Sequence, residues 1–329
     1  MLPTMSAEPL LKVQDLSVTF RTGDRETVAA QGVSYELAAG EVLAVVGESG
    51  SGKSVSALAL TRLLPPEPSC GLSGSVKLAG VELMGLPEDK LAKIRGGSIA
   101  YIFQEPGTSL NPVYTIGFQI GEAVALHRPD VKDVDAEVIR SLAEVHINDP
   151  ERVANQYPHE LSGGMQQRAM IAMALACNPK ILVADEPTTA LDVSIQAQII
   201  SLLKKVCKDR GAAVMLITHD MGVIAETCDR VAVLYAGRVA EIGPVHQVIN
   251  HPAHPYTAGL MASIPDMDSD RERLNQIDGA MPRLNAIPQG CAFNPRCPKA
   301  FDRCRQDRPE LVNAGANQAA CWLHDGSAA

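Results

Sequence analysis

Apolar and polar positions alternate near the start of the chain, with Leu16, Val18 and Phe20 falling on one side of the run Leu11 to Phe20. A period of two turns one face toward a core and predicts a strand. A polar turn, Arg21 to Glu26, leads to a second strand around Val33 to Leu37. After Gly40 the run Val42 to Val46 is apolar throughout, as a strand covered on both faces must be. Val55, Leu58, Leu60 and Leu64 then take helical spacing until Pro65 and Pro66 stop it. Gly71 to Gly80 reads as a short hairpin region and Ser98 to Phe103 as a strand that ends in a breaker-rich hinge, Gln104 to Gly107. From Thr115 to about Gln156 the pattern becomes helical and moderately charged, which predicts an inserted helical subdomain within residues 105–165.

Leu161 to Arg168 opens a long apolar helix reaching Cys177, and the short apolar run Ile181 to Ala184 follows as a buried strand. The helix Val193 to Cys207 keeps Ile195, Ile199, Leu202, Leu203 and Val206 on one face, the spacing of core packing. Strands are predicted at Ala213 to Thr218, Val231 to Tyr235 and Arg238 to Ile242. Strands alternating with helices predict an α/β fold. Beyond Pro252 prolines, polar residues and cysteines dominate and long periodic elements stop, so a boundary is placed at Asn250, dividing domain 1–250 from domain 251–329.

Composition and charge narrow this little. The 329 residues suffice for one large domain or two unequal ones, and a net charge of −9 gives no reason to expect a broad nucleic-acid footprint. No apolar run reaches the ~18 residues that cross a bilayer. Met1 to Leu11 lacks the charged and apolar regions of a secretory signal, so the expected compartment is the cytoplasm, with reduced thiols. Four of the eight cysteines, Cys291, Cys297, Cys304 and Cys321, crowd the last 39 residues; Cys70, Cys177, Cys207 and Cys228 are scattered and read as plain core or surface thiols.

The candidate chemistry begins between the buried strand and the first helix, where Gly47, Glu48, Ser49, Gly50, Ser51, Gly52, Lys53 and Ser54 have the spacing of a phosphate-binding P-loop. Glycines let successive backbone N–H groups curl around a polyphosphate. Lys53 would add charge for the β- and γ-phosphates, and Ser54 a hydroxyl for Mg²⁺. Asp185 and Glu186 end the strand downstream, as an Mg²⁺-coordinating aspartate and a base would. His219 follows another strand at the carboxyl edge where ligands of open α/β sheets collect. Ser162 stands at an N-cap, with Gly163 and Gly164 exposing the first N–H groups of a helix. The four late cysteines have the ligand count of either Zn²⁺ or an iron–sulfur cube, and their intervals of five, six and sixteen residues do not match the two-residue knuckles of structural zinc.

In sequence order the P-loop, Gln104, Leu161 to Gln166, the strand with Asp185 and Glu186, Thr189 to Asp192, and Ile217 to Asp220 together resemble an ATP-binding cassette (ABC) ATPase across Leu11 to Gly243. Ile102 to Pro112, His254 to Thr257 and Gly290 to Cys297 narrow the resemblance to ATPases of the dipeptide, oligopeptide and nickel importers, nearest the dipeptide and oligopeptide "D" subunits. This implies a P-loop NTPase fold with an antiparallel β subdomain, the inserted helical subdomain and a small Cys-rich C-terminal domain.

The resemblance also implies roles. Phe20 would stack on adenine, Gln104 would link Mg²⁺ and the γ-phosphate to the helical subdomain, Asp185 would be the Walker B aspartate, Glu186 would polarise the attacking water, and His219 would contact the γ-phosphate. Ser162, Gly163 and Gly164 would act on nucleotide held by a partner subunit, and Asp192 would sit at the subunit junction. Implied cofactors are ATP, Mg²⁺ and a [4Fe–4S] cluster on Cys291, Cys297, Cys304 and Cys321, with Zn²⁺ as the alternative.

Implied partners are two membrane permease subunits, a second, sister ATPase in a heterodimer and an extracytoplasmic solute-binding protein, on the cytoplasmic face of a bacterial inner membrane. Peptides, nickel chelates or other small solutes all remain open as cargo. Two other classes compete: a soluble cassette ATPase acting on DNA or ribosomes, disfavoured by the single P-loop and short helical insert, and a metal-sensing subunit with vestigial ATPase, disfavoured because no catalytic motif is degraded.

Overall fold

The computed structural model describes residues 8–188, 193–263 and 276–325, without the side chains of 193–195, 206 and 207. Thr189, Ala190, Leu191 and Asp192 lie outside the described residues, as do the side chains of Ile195, Val206 and Cys207. The chain divides into two compact units, one built from residues 37–42 and 85–218, the other from 11–36, 43–84 and the stretch from 219 onward.

In the first unit the three predicted apolar runs pair in parallel, Ile99–Ile102 with Ile181–Asp185 and Ile181–Asp185 with Ala213–Ile217. Ile99, Ile102, Ile181, Leu182, Val183, Ala213 and Ile217 are buried, which is why these strands read as unbroken apolar runs rather than alternating ones. The expected helical insert is present as Pro106–Ser109, Ile116–His127, Val134–Glu144 and Pro150–Ala154. Its two longer helices start at side-chain caps, Thr115 accepting a bond from the Phe118 N–H and Asp133 from the Ala136 N–H, and the two shorter ones start at Pro106 and Pro150. Gly163–Ala176 follows, and Val193–Arg210 buries Ile199, Leu202 and Leu203 as the helical spacing predicts.

The second unit holds a four-stranded antiparallel sheet in the order Arg25–Leu37, Leu11–Thr22, Cys70–Leu78, Val81–Glu82. Its first strand changes phase. Leu11 and Val13 are buried, then Leu16 and Val18, an odd pair followed by an even one. Asp15, at φ +50°, sits in the register shift between Gln14 and Ser17, and this extra residue returns the side chains to the same face. The predicted hairpin at Gly71 to Gly80 differs from the structure: Cys70–Leu78 is a nine-residue strand lying along Leu11 to Phe20, and only Val81–Glu82 folds back. The true partner is some sixty residues upstream, beyond the reach of a local reading. The helix after the P-loop is also shorter than its apolar spacing suggests, Lys53–Ala59, because Arg62 at φ +53° turns the chain away.

Elsewhere in this unit Val42–Val46 pairs in parallel with Arg230–Tyr235, which pairs antiparallel with Arg238–Pro244. The segment after Asn250 extends that edge: Asn317–Ala319 pairs with Arg238–Pro244, and Val312–Ala314 pairs with Asn317–Ala319. A fully buried carboxylate, Glu241, pins the junction by accepting from the Ala253 N–H, the His254 N–H and Asn317 Nδ2, each at 2.8 Å. Backbone and amide donors are what let a carboxylate persist without water. Among the described residues, no helix is long and apolar enough to cross a membrane.

Candidate functional site

The P-loop runs from the end of Val42–Val46 to the start of Lys53–Ala59, as its sequence position requires. Steric exclusion explains its glycines. A Cβ on Gly47 would stand 2.2 Å from the Leu234 carbonyl oxygen, and one on Gly52, at φ +97°, would stand 2.6 Å from the Ala29 carbonyl oxygen. No real Cβ makes such contacts, so only glycine lets the loop take this path. Lys53 Nζ donates to the carbonyl oxygens of Gly47 at 2.8 Å and Glu48 at 3.1 Å, which holds a cation over the beginning of the loop. Ser51 Oγ is buried with no hydrogen-bond partner, whereas Ser49, Gly50 and Ser54 are exposed. A buried, unsatisfied hydroxyl in a glycine-lined loop fits a site that polyphosphate completes. Phe20 is half-buried near the end of its strand.

In the first unit Gln104 and Glu186 meet at the carboxyl edge of the parallel strands, whereas His219 belongs to the second unit. Gln104, just past Ile99–Ile102, donates from Nε2 to Glu186 Oε2 at 3.0 Å. Glu186 follows Asp185, the last residue of its strand, and takes φ +46° while its N–H bonds to the Ile217 carbonyl at 2.8 Å. A non-glycine residue in the left-handed region costs on the order of 1 kcal/mol or more, and such positions cluster at functional sites. Ser162 caps Gly163–Ala176, its Oγ accepting from the Met165 N–H at 3.4 Å, and nothing lies within 4 Å of a Cβ built on Gly163. That helix start is open to an incoming group. His219 follows Thr218 and precedes Asp220, which caps Met221–Thr227 by accepting from the Val223 N–H at 3.1 Å.

Cys291, Cys297, Cys304 and Cys321 line one enclosed cavity together with His254, Phe293 and Trp322. Burial pushes the Cys291 thiol up to about 11, and the three neighbouring thiols push in the same direction. Burial likewise raises Cys297 and Cys321. Among the described residues, however, no group of three or more His, Cys, Asp or Glu side chains is placed to hold a metal ion. Cys70, Cys177 and Cys228 are buried, as their scattered positions suggested.

Two residues that the sequence reading did not assign touch the phosphate loop. The Tyr256 hydroxyl accepts from the Glu48 N–H at 3.0 Å, and Arg296 Nη1 lies 2.9 Å from Glu48 Oε1. Both belong to stretches already conspicuous in the chain, His254 to Thr257 and Gly290 to Cys297, so the signal was present without a target.

Residues 30–189 match the family described as ABC transporter, and residues 240–304 the one described as oligopeptide/dipeptide transporter, C-terminal region. A Brucella ovis protein named as a peptide import ATP-binding protein is 48% identical over 96% of this chain and 97% of its own length. The oligopeptide transport ATP-binding protein AppD of Bacillus subtilis is 44% identical over 96% of this chain and 97% of its own. Among solved structures, the ATP-binding cassette MJ0796, seen as a dimer with ADP and Pi, superposes with a TM-score of 0.64 at 30% identity over 71% of this chain and 98% of that one. The P-loop, the parallel strands bearing Gln104 and Glu186, and relatives this similar over nearly the whole length have one common reading: the chain belongs to the ABC ATPases of the peptide-import ATP-binding protein family.

Proposed function

We propose that this chain is the ATP-hydrolysing subunit of a bacterial importer for dipeptides or oligopeptides, acting with two permeases, a sister ATPase and an extracytoplasmic binding protein at the cytoplasmic face of the inner membrane. The observation that carries the reading is the phosphate loop, where Gly47 and Gly52 leave no room for a Cβ, Lys53 Nζ is held over the start of the loop and Ser51 Oγ is buried without a hydrogen-bond partner. Phosphoryl transfer needs positioning and charge neutralisation more than covalent chemistry. Gly47, Ser49, Gly50, Ser51, Gly52 and Lys53 hold the phosphates and Phe20 stacks on the base. Ser54, Asp185 and Gln104 would hold Mg²⁺, which would supply neutralisation of phosphate charge. Glu186 takes a proton from the attacking water, Gln104 keeps its carboxylate oriented, and His219 contacts the γ-phosphate. Ser162, Gly163 and Gly164 serve nucleotide on the partner subunit, an assignment supported by the open start of their helix.

That arrangement makes the isolated chain a poor ATPase. Adding the sister ATPase and permeases is expected to raise turnover about 10²-fold, the scale of adding one oxyanion-type donor set. Monomer at low concentration hydrolysing ATP at the full complex rate would show that no partner completes the site.

For the permeases we propose the exposed apolar group on the first unit, Phe103, Val113, Tyr114 and Phe118, in which the rings of Tyr114 and Phe118 stack at 4.6 Å. Clustered exposed apolar side chains mark interaction sites, and this group adjoins Gln104 in the chain. Val113→Asp with Tyr114→Ser is expected to abolish co-purification with the permeases while Mg-ATP affinity of the chain stays within about twofold. Retention of the permeases by this variant would move the contact elsewhere.

We further propose that residues 251–329 form the Cys-rich C-terminal domain and that its four cysteines carry a [4Fe–4S] cluster. Cys291, Cys297, Cys304 and Cys321 line one cavity, and burial raises the Cys291, Cys297 and Cys321 thiols, so four soft ligands stand together where a metal centre could draw off their protons. A single tetrahedral zinc draws four sulfurs to about 2.3 Å from one point, whereas a cube spreads its thiolates over four irons. The cube is preferred here on the resemblance of the cysteine pattern to that of the dipeptide-transporter ATPases, with zinc as the alternative.

A further inference from the structure

Glu48 puts a carboxylate on the loop that is built to hold a polyphosphate, and nothing in phosphate binding calls for a negative charge there. Within the second unit it is met by Arg296. Nη1 contacts both carboxylate oxygens, at 2.9 and 3.1 Å, and the arginine side chain is only 6% exposed. The other two nitrogens are engaged too: Nε bonds to the Asp278 carbonyl at 3.0 Å and Nη2 to the Ile277 carbonyl at 3.3 Å. The guanidinium lies 5.9 Å from the ring centres of both Tyr235 and Phe293. A guanidinium fixed this fully loses little further entropy in holding one carboxylate.

The same segment approaches the loop at two other points. The Tyr256 hydroxyl accepts from the Glu48 N–H, and burial keeps that phenol above its ordinary pKa, hence protonated. Met281 Cε lies 3.2 Å from where a Cβ on Gly50 would be. We propose that Arg296 is a positioning residue of the ATP site: it neutralises and anchors Glu48, so that the C-terminal segment sets the charge and shape of the phosphate loop and with them the affinity for Mg-ATP. This rests on the reading of the loop as an ATP site.

The test is Mg-ATP binding to the full-length chain, measured by calorimetry alongside thermal melting. Arg296→Gln uncovers one negative charge beside the phosphates and is expected to raise Kd about tenfold, an effect that shrinks in high salt. Glu48→Gln leaves Arg296 as an excess cation and is expected to tighten binding several-fold at low ionic strength. The double variant Glu48→Gln with Arg296→Gln should return close to the parent. A purely structural role would lower the melting temperature and leave these signs unordered.

Unchanged affinity in Arg296→Gln, or a double variant as weak as Arg296→Gln alone, would overturn the proposal. If Arg296→Gln does not fold, the sign of the Glu48→Gln change decides: weaker or equal binding refutes charge compensation. A parent chain that fails to bind Mg-ATP, as Lys53→Ala is expected to fail, would instead strike the ATP reading itself.

Discussion

Glu186→Gln is expected to leave Mg-ATP affinity within about threefold of the parent and to lower turnover in the assembled transporter about 10³-fold, the range that a positioned general base contributes. The geometry explains why the two effects separate. Glutamine has the same length and branching, so Oε1 can still accept from Gln104 Nε2, the bond seen at 3.0 Å. The N–H bond to the Ile217 carbonyl involves only backbone, and the left-handed φ of +46° costs glutamine and glutamate alike. What is lost is the ability to take a proton from water. Lys53→Ala removes the charge proposed to meet the phosphates and should weaken binding as well. Turnover near that of the parent in the Glu186 variant, with permeases and sister ATPase present, would remove Glu186 from the role of base.

The P-loop was legible because its residue types stand at fixed spacing between an apolar run and a helical one, even though the carbonyls that exclude a Cβ at Gly47 and Gly52 belong to Leu234 and Ala29, distant in the chain. The places of Asp185, Glu186 and Gln104 at strand ends were legible because each lies at the end of a short apolar run, while the role given to Gln104 came from the resemblance. The Asp15 bulge was not, because an extra residue in a strand looks like a break in alternation until its partner is known. The strand Cys70–Leu78 was mistaken for a local hairpin for the same reason. Arg296 and Glu241 show the limit most clearly. Their partners, Glu48 at 248 residues' separation and the Ala253, His254 and Asn317 groups, are assembled by tertiary packing that no local periodicity encodes.

Cys297→Ser is expected to bleach the protein, unfold the C-terminal segment and weaken, without abolishing, Mg-ATP binding. A segment of about 75 residues with few long apolar runs has little core of its own, so a four-point metal anchor would contribute much of its folding energy. Anaerobically purified parent protein should be brown, with broad absorbance at about 400 nm and about four irons per chain. One zinc and no iron would sink the cluster and leave zinc as the anchor.

The effect on ATP follows from position. Cys297 adjoins Arg296, and Asn294 at the start of the same short turn donates to the Cys291 carbonyl at 2.7 Å, so releasing the sulfurs frees the turn that presents the guanidinium. The phosphate loop keeps its own glycines and Lys53 and therefore still binds nucleotide. It does so with Glu48 uncovered, so affinity in Cys297→Ser should fall to the level of Arg296→Gln and stay well above that of Lys53→Ala. A colourless Cys297→Ser chain that binds Mg-ATP as tightly as the parent would mean that the cysteines and the phosphate loop are not coupled.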